Sequence, residues 1–350
     1  MAVRIGINGF GRIGRNFLRA LLERDAEEAR SGVAGPLPIE LVAVNDIAPR
    51  DSNAHLLKYD STHGRLRDPV VLTTSGLRVG EREIAVLSET DPKALPWGDL
   101  GVDVVIESTG RFTGRSAAMA HVEAGARRVI ISAYAKDADA TFVVGVNDDE
   151  FEPDSHIIVS NASCTTNCLV PMVKVLEDAF GLRQGIMTTV HAYTNDQELL
   201  DLGRDNLRRS RAAAVNIVPS STGAARATSL VLGQMAGRLD GLALRVPVVD
   251  GSITDLTAVL SDGVTVADVN AAFRRASESG PLSKVLDYNE AQIVSSDIVG
   301  TSASCTFDAT LTVAIPIDDD TTLVKVMGWY DNEWGYSYRL IDLAMIIGGA

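Results

Sequence analysis

One stretch of the chain combines residue types suited to covalent catalysis. It runs from Ser160 to Cys168 (Ser-Asn-Ala-Ser-Cys-Thr-Thr-Asn-Cys), after the apolar run 157–159 and before apolar residues at helical spacing. This pattern places Cys164 where a buried strand ends and a helix begins. Unpaired backbone N–H groups and the helix dipole there favour the thiolate, the nucleophilic form of cysteine. A lone cysteine is more often a small buried hydrophobic residue, but the polar neighbours of Cys164 favour a nucleophile.

A histidine near the end of a predicted strand is a candidate base. His191 lies in the run 186–192, which is read as a strand that follows the Cys164 helix. An imidazole can accept a proton near neutral pH and can keep a nearby thiolate charged. A single histidine is usually a hydrogen-bonded core residue, and only its pairing with Cys164 indicates a catalytic role.

A glycine motif near the N-terminus predicts a dinucleotide-binding turn. Gly9, Gly11 and Gly14 form G-x-G-x-x-G between an apolar strand and a helix. In this context the glycines permit a tight turn and let the backbone approach a pyrophosphate at the helix N-terminus. Asp46 follows the second predicted strand, where an acidic residue bonds the adenosine ribose hydroxyls and repels a 2′-phosphate. A solvated loop residue is the alternative for Asp46, but its strand-end position favours NAD binding.

Together these residues suit one type of reaction. A dinucleotide supplies a hydride acceptor, and a helix-start cysteine supplies a covalent nucleophile. The combination is typical of aldehyde oxidation through a thiohemiacetal and a thioester. An alcohol dehydrogenase needs no such thiol unless zinc is present.

The elements that must position these residues begin with an α/β domain. Strands alternate with helices as far as the Cys164 helix, which predicts a doubly wound, Rossmann-type parallel sheet. The predicted strands are 3–7, 39–44, 70–74, 77–79, 83–87, 102–106, 128–132, 142–144 and 156–159. Residues 26–38 are polar and contain glycines and prolines, so they are read as a loop.

The second part of the chain predicts a different architecture. Long strands with few crossovers indicate an α+β catalytic domain whose sheet is mainly antiparallel. The segment 194–222 shows no clear strand or long helix and contains Arg204, Arg208, Arg209 and Arg211. Loops of this length are usually functional or packed against a partner. Because the chain is acidic, ion pairing across a subunit interface is a better interpretation of these arginines than nucleic-acid binding.

The composition argues against several classes of function. The 350 residues suffice for two domains, and a net charge of −14 argues against binding to nucleic acid or to an anionic membrane. The three cysteines form no secreted disulfide framework, and no nearby Cys or His completes a metal site with Cys164 and Cys168. No apolar run approaches a membrane span, and the N-terminus does not look like a signal peptide. We therefore expect a cytoplasmic protein without a metal.

Six motifs carry a family resemblance. They are Asn-Gly-Phe-Gly-Arg-Ile-Gly-Arg at 8–15, Ala-Ser-Cys-Thr-Thr-Asn at 162–167, His-Ala-Tyr-Thr-Asn-Asp at 191–196, Ser-Thr-Gly-Ala-Ala at 221–225, Arg-Val-Pro at 245–247 and Trp-Tyr-Asp-Asn-Glu-Trp-Gly-Tyr-Ser at 329–337. In this order, and over essentially the whole chain, they closely resemble phosphorylating glyceraldehyde-3-phosphate dehydrogenase.

The resemblance implies an activity and an assembly. The activity is phosphorylating oxidation of D-glyceraldehyde 3-phosphate to 1,3-bisphosphoglycerate with reduction of NAD, in glycolysis or gluconeogenesis. The implied domains are an NAD-binding domain at 1–163 and 331–350 and a catalytic domain at 164–330. The implied assembly is a homotetramer in which the loop 194–222 reaches a neighbour's cofactor site.

The resemblance also implies roles for individual residues. Cys164 is the nucleophile, and His191 lowers its pKa and assists proton transfer. Thr194 and Arg245 match the residues that bind the phosphate of the substrate. The implied ligands of the attacking inorganic phosphate are Ser163, Thr165, Thr222 and Gly223. The implied cofactor-binding residues are Gly9, Gly11, Arg12, Ile13, Asp46, Thr90, Ser132, Asn332 and Tyr336.

A few positions depart from the family and leave alternatives open. The segment 26–38 stands in place of a short connection, Thr90 replaces an arginine near the adenine, and Gly203 replaces a proline common in NAD-specific members. The alternatives are erythrose-4-phosphate dehydrogenase, in which water attacks the thioester, and a non-catalytic nucleotide-binding interaction protein. The physiological direction, the strictness of NAD over NADP, the role of 26–38 and any secondary binding function stay open.

Overall fold

The computed structural model describes residues 2–32 and 37–349. The chain divides into two compact units: unit 1 comprises Met1–Phe142, Asp148–Ala162 and Ser337–Ala350, and unit 2 comprises Val143–Asn147 and Ser163–Tyr336. The segment 331–336, which the sequence placed with the first domain, therefore lies in unit 2. Among the described helices, none combines the length and the apolar character needed to span a bilayer.

Unit 1 is an α/β unit. In chain order its elements are β1 (Val3–Asn8), α1 (Arg12–Ser31), β2 (Ile39–Asn45), α2 (Arg50–Lys58), β3 (Tyr59–Asp60), β4 (Gly64–Arg65), β5 (Val70–Leu72), β6 (Gly76–Val79), β7 (Arg82–Leu87), β8 (Val104–Glu107), α3 (Arg115–Glu123), β9 (Arg128–Ile131), β10 (Ala140–Thr141) and β11 (Ile158–Ser160). Nine of these strands form one sheet in the order β10-β11-β9-β8-β1-β2-β7-β6-β5.

The sheet of unit 1 is parallel from β10 to β7 and antiparallel only at β5, β6 and β7. This confirms the predicted doubly wound α/β fold. Strand β1 lies between β2 and β8, so the chain switches direction along the sheet at β1. A ligand cleft is expected beyond the carboxyl ends of the strands at such a switch point.

Two local predictions in the first 160 residues are wrong. Residues 26–31 continue α1 instead of starting a loop, because this run consists mostly of Ala, Glu and Arg, which favour helix. The helix ends at Gly32, whose φ of 67° is left-handed, and residues 33–36 of the predicted loop lie outside the described residues. The predicted strand 142–144 is a turn, because Asn147 Oδ1 accepts the backbone N–H of Val143 and competes with strand pairing.

Unit 2 contains the helix that begins with Cys164. In chain order its elements are α4 (Cys164–Phe180), β12 (Leu182–Ala192), β13 (Val218–Ser221), α5 (Ala224–Val231), β14 (Leu239–Val246), β15 (Ser252–Leu260), α6 (Val266–Glu278), β16 (Leu286–Asn289), α7 (Ser295–Ile298), β17 (Cys305–Asp308), β18 (Val313–Asp318) and β19 (Thr321–Tyr330). The last helix, α8 (Trp334–Gly348), begins in unit 2 and belongs to unit 1 from Ser337 onward. The strands form a sheet in the order β13-β14-β12-β15-β19-β17-β16, with β18 also paired to β19.

The sheet of unit 2 is mainly antiparallel, as predicted. Only β12 with β14 and β16 with β17 run parallel. One face packs against α4, and buried residues alternate with half-buried ones along β15 and β19. On the other face, Ile186 of β12 is 68% exposed. The prediction that 194–222 holds no strand is wrong, because β13 pairs with β14 there; Pro219 obscured it, since proline is tolerated only at an edge.

Candidate active site

Cys164 is the first residue of α4, as the sequence predicted. Ser163 is the N-cap, and its Oγ accepts the backbone N–H of Thr166 at 3.1 Å. Ala162, directly before the cap, has φ of 54°, a left-handed value that a residue with a Cβ rarely adopts. Such strain persists where the surroundings enforce it, and here it turns the chain into the helix that carries the thiol.

Cys164 and His191 form a pair within unit 2. The distance from Cys164 Sγ to His191 Nε2 is 3.4 Å. His191 lies near the end of β12 and is buried, whereas Cys164 is only partly buried. Nδ1 of His191 lies 2.6 Å from the carbonyl oxygen of Ala192 and 2.8 Å from Nη1 of Arg245. In the tautomer that carries its proton on Nδ1, this proton is donated to Ala192, Arg245 Nη1 donates to the same carbonyl at 3.1 Å, and Nε2 is free to accept the thiol proton.

Both members of this pair are neutral at pH 7. Burial, and then the Arg245 guanidinium, lower the pKa of His191 to about 3. Burial raises the pKa of Cys164 to about 11, although Arg245 and hydrogen bonds from Thr165 act in the opposite direction. The expected lowering of the thiol pKa by the helix start and by His191 is therefore not what the geometry favours. The arrangement is a thiol beside a neutral base.

Arg245 stands beside the pair and can hold an anion. Its Nη1 lies 2.8 Å from His191 Nδ1 and donates to Thr194 Oγ1 at 3.1 Å. The Nε atom of Arg245 is buried and has no hydrogen-bond partner among the described residues. A buried donor without an acceptor is costly, and a bound phosphate would satisfy it. The structure thus brings together Cys164, His191, Thr194 and Arg245.

The residues predicted to bind inorganic phosphate already have partners in the chain. Ser163 Oγ lies 2.8 Å from Thr166 Oγ1, and Thr165 Oγ1 lies 2.8 Å from the hydroxyl of Tyr330. Thr222 Oγ1 accepts the backbone N–H of Ala224 at 3.2 Å, so its proton remains available to donate. Gly223 directly precedes α5.

Three of the four arginines named in the loop 194–222 make ion pairs within the chain, and their pairing across a subunit interface stays a prediction. Arg204 pairs with Glu198, Arg209 with Asp196, and Arg211 with Asp201. Arg209 is the functional candidate that the sequence reading missed. Burial, and then the charge of Arg245, lower its pKa, so two guanidinium groups share one region. The motif Arg208-Arg209 had no local feature that separated it from its neighbours.

Two predicted cofactor residues lie in unit 2. Asn332 is buried, and its Oδ1 accepts a hydrogen bond from Ser252 Oγ at 2.7 Å. That bond fixes the orientation of the amide and directs its N–H groups away from Ser252. Tyr336 is buried in the first turn of α8.

Unit 1 has a cleft of about 230 Å³ at the switch point predicted for the cofactor. The lining residues come from the ends of β1 and β2 and from the segments that follow β1, β2, β7 and β8: Asn8, Gly9, Gly11, Asn45, Asp46, Ile47, Glu89, Thr90, Ser108, Thr109, Arg111 and Phe112. Four predicted cofactor residues, Gly9, Gly11, Asp46 and Thr90, are among them. Asp46 Oδ2 accepts the backbone N–H of Phe10 at 2.7 Å, so the carboxylate also holds the glycine turn.

The glycine turn fits a dinucleotide. A Cβ on Gly9 would lie 2.6 Å from the backbone nitrogen of Thr109, and one on Gly14 would lie 2.3 Å from the carbonyl oxygen of Gly9. A Cβ on Gly11 would meet nothing within 4 Å. Open space at the N-cap of α1, with no acidic residue in the first turn, suits a pyrophosphate.

Three predicted cofactor residues are outside the cleft lining. Arg12 makes two hydrogen bonds to Asp60, at 2.8 and 3.2 Å. Ile13 is half-buried in the first turn of α1. Ser132 follows β9 and donates its backbone N–H to the carbonyl oxygen of Glu107. Contact of these three residues with the cofactor stays a prediction.

Comparison with known proteins places two family models along the chain. Residues 3–115 match the model described as glyceraldehyde 3-phosphate dehydrogenase, NAD binding domain, and residues 163–332 match the C-terminal domain of the same family. Three similar proteins named glyceraldehyde-3-phosphate dehydrogenase are those of Streptomyces coelicolor, at 55% identity, Mycobacterium bovis BCG, at 55%, and Geobacillus stearothermophilus, at 52%. Each alignment covers 99% of this chain and at least 98% of the relative.

Proposed function

The chain belongs to the glyceraldehyde-3-phosphate dehydrogenase family, an NAD-dependent oxidoreductase, and from that premise we propose how it acts. The reaction is the phosphorylating oxidation of D-glyceraldehyde 3-phosphate to 1,3-bisphosphoglycerate. The observation that supports it most directly is the 3.4 Å contact between Cys164 Sγ and His191 Nε2, with Arg245 beside it. We assign cofactor binding to unit 1 and the chemical steps to residues of unit 2.

In the first step, Cys164 Sγ attacks the aldehyde carbon. As the C–S bond forms, the thiol proton passes to Nε2 of His191 and then to the carbonyl oxygen, which becomes the hydroxyl of a thiohemiacetal. The neutral imidazole suits this role, because it can accept the proton at the moment of attack. Backbone N–H groups at the start of α4 stabilise the negative charge that develops there.

The second stage oxidises the adduct. NAD, when bound, supplies the hydride acceptor. Nε2 of His191 takes the hydroxyl proton, and the carbon becomes a thioester. An oxygen of inorganic phosphate then attacks that carbon, the C–S bond breaks, and the His191 proton returns to Sγ. The product is an acyl phosphate, so the energy of the thioester is conserved.

We assign the two anions to polar groups around the thiol. Arg245 and Thr194 hold the phosphate of the substrate, supported by their mutual hydrogen bond and by the unpaired Nε of Arg245. Ser163, Thr165, Thr222 and Gly223 provide the site for the attacking phosphate. We add Arg209 to this region, because its guanidinium lies near that of Arg245 and an anion would relieve the repulsion.

We also propose that the protein is a cytoplasmic homotetramer. The loop 194–222 exposes Leu199 at 81% and Leu207 at 80%, and Ile186 on the open sheet face is 68% exposed. The same loop also exposes Leu200, Leu202, Val215 and Ile217, and this many exposed apolar side chains within one segment are typical of an interface. In sedimentation velocity, Leu199→Asp should shift the protein toward smaller species, whereas Leu72→Asp, an exposed site of unit 1, should not. A tetramer unaffected by Leu199→Asp would place the interface elsewhere.

The deciding experiment measures NADH formation with glyceraldehyde 3-phosphate, with and without inorganic phosphate, and with erythrose 4-phosphate alongside. Fast turnover of the triose that depends on phosphate is the expected result. Turnover without phosphate that favours the tetrose would point to erythrose-4-phosphate dehydrogenase. Binding of NAD without turnover of either aldehyde would point to an interaction protein. Cys164→Ser should bind NAD but show no oxidation.

A further inference from the structure

A hydrogen-bond network of buried polar side chains lies at the cleft of unit 1. Its members are Trp97, His121, Glu107, Asn8 and Asn45, and none is more than 4% exposed. They come from parts of the chain that are far apart in sequence and meet at the ends of β1, β2 and β8. A buried polar group destabilises the fold unless it has a hydrogen-bond partner, so the pairing within this network shows which atoms donate and which accept.

The protonation of His121 follows from its neighbour. Trp97 Nε1 lies 3.1 Å from His121 Nδ1. An indole N–H can only donate, so Nδ1 must accept and cannot carry a proton. The ring proton of His121 therefore lies on Nε2, which is 3.0 Å from Glu107 Oε2 and donates to it. Trp97 thus selects the tautomer that supports the carboxylate.

The Glu107 carboxylate receives four donors. Oε2 accepts from His121 Nε2 and from Asn8 Nδ2, the latter at 2.6 Å. Oε1 accepts from the backbone N–H of Thr109 at 2.8 Å and from the Thr109 hydroxyl. Each oxygen has both of its acceptor positions filled, so the carboxylate cannot rotate without losing bonds.

These bonds fix groups that line the cleft. Asn8 and Thr109 are lining residues, and Asn45 Nδ2 donates to Asn8 Oδ1 at 2.7 Å. Asn45 also bonds the backbone N–H and carbonyl of Glu89, next to Thr90 on the cleft wall. A Cβ on Gly9 would approach the Thr109 nitrogen to 2.6 Å, so the glycine turn and the Thr109 segment have no room to shift toward each other.

We propose that Glu107 is a positioning residue for NAD and that His121, held as its Nε2–H tautomer by Trp97, fixes the Glu107 carboxylate. Glu107 acts through Asn8 and Thr109 and does not itself line the cleft. The proposal rests on NAD as the cofactor of the proposed function. It differs from a role in folding alone, because it requires that cofactor affinity changes more than the stability of the unit does.

The test compares four variants by isothermal titration with NAD alone. Glu107→Gln keeps the shape of the side chain but replaces one carboxylate oxygen by an NH2 group, which then faces two of the four donors. His121→Phe removes the hydrogen bonds of both ring nitrogens. We expect the Kd for NAD to rise roughly tenfold in each, equal to about 1.4 kcal/mol. His121→Gln retains a donor toward Glu107 and should stay within about threefold of the wild type. The control is His156→Phe, a histidine of unit 1 outside the cleft that packs on Phe142 and Phe151.

Two further readouts separate positioning from structure. In steady-state kinetics the KM for NAD should rise by the same factor as the Kd, with kcat within about twofold, because Cys164 and His191 are untouched. The chain has three tryptophans, so three indole N–H resonances are expected, and the Trp97 resonance should shift upfield in His121→Phe. A thermal melt of every variant measures stability in parallel.

Two results would overturn the proposal. The proposal is overturned if His121→Phe lowers the melting midpoint but leaves the Kd for NAD unchanged, as His156→Phe should. It is also overturned if His121→Gln weakens NAD binding as much as His121→Phe does. If Glu107→Gln does not fold, the two His121 variants still decide. Titration needs no aldehyde, so a wild type that binds NAD without oxidising the triose would refute the proposed function and leave this inference standing.

Discussion

The glycine turn allows a test that separates cofactor binding from folding with one methyl group. In Gly11→Ala the new Cβ enters space that, apart from the adjacent residues of the chain, holds no atom of the described residues within 4 Å. Gly11 has φ of −73° and ψ of −154°, an extended conformation with negative φ. Alanine is a poorer N-cap than glycine but restricts the unfolded chain, and the two effects oppose each other. We expect the free energy of unfolding to change by less than about 0.5 kcal/mol.

Cofactor affinity should respond differently. The methyl group occupies the position from which a pyrophosphate would approach the first N–H groups of α1. Losing one or two hydrogen bonds to a charged group costs about 1.5–3 kcal/mol each. Since 1.4 kcal/mol is a factor of ten, the Kd for NAD should rise by roughly tenfold to a hundredfold or more. Isothermal titration measures the affinity, and thermal unfolding measures the stability.

Gly14→Ala is the matched variant, for which we expect a loss of stability. Its Cβ would lie 2.3 Å from the carbonyl oxygen of Gly9 and 3.2 Å from Ile7 Cγ2, so the backbone must move. Overpacking of this kind costs about 1–3 kcal/mol, which a lower melting midpoint would report. If Gly11→Ala binds NAD with the affinity of the wild type, the open space at the N-cap is not the pyrophosphate position. If it unfolds as readily as Gly14→Ala, the space is not open.

Three further outcomes are expected. His191→Asn removes the base at 3.4 Å from Cys164 Sγ, and kcat should fall by about 10²–10⁴ with little change in NAD affinity. Asp46→Asn removes the negative charge beside Gly11, and the ratio of kcat/KM for NADP to that for NAD should rise by roughly tenfold, equal to about 1.4 kcal/mol. Although burial acts to raise it, hydrogen bonds from Arg12 and from the His63 backbone hold the pKa of Asp60 at about 2. A lowered pKa stabilises the fold above about pH 4, so the advantage of the wild type over Asp60→Asn in melting midpoint should be present at pH 6 and disappear toward pH 2.

For each of these three predictions, one result would contradict the reasoning. Activity of His191→Asn near that of the wild type would mean that another group takes the thiol proton. An unchanged NADP to NAD ratio in Asp46→Asn would mean that its carboxylate does not face the ribose. A constant difference in melting midpoint between Asp60→Asn and the wild type from pH 6 to pH 2 would mean that the Arg12 pairing does not set the pKa of Asp60.

Patterns within short windows of sequence were enough to predict the elements that carry the chemistry. The strand before Cys164, the Ser163 cap and the helix after it depend on apolar spacing and on residues adjacent in the chain. The turn at Gly9–Gly14 is likewise local. The Ala, Glu and Arg content of residues 26–31 also favours the extension of α1 to Ser31, whereas Gly32 and the prolines nearby favour a loop.

Long-range contacts, in contrast, have no periodic signal. The bonds that join Asn8 to Glu107 and Trp97 to His121 link residues that no local pattern relates. The same is true of Arg245 beside His191, and of Arg209, which no local feature distinguished from the other arginines of its loop. These pairings arise only when the strands are assembled in their observed order.

For Cys164 and His191, too, local sequence and tertiary structure determine different properties. The sequence by itself was enough to predict a nucleophile and a base, because residue type and the start of a helix are local properties. Their pKa values were decided by the tertiary structure, which buries His191 and brings Arg245 to it. Burial disfavours charge on both Cys164 and His191, and the extent of burial is set by how distant segments pack.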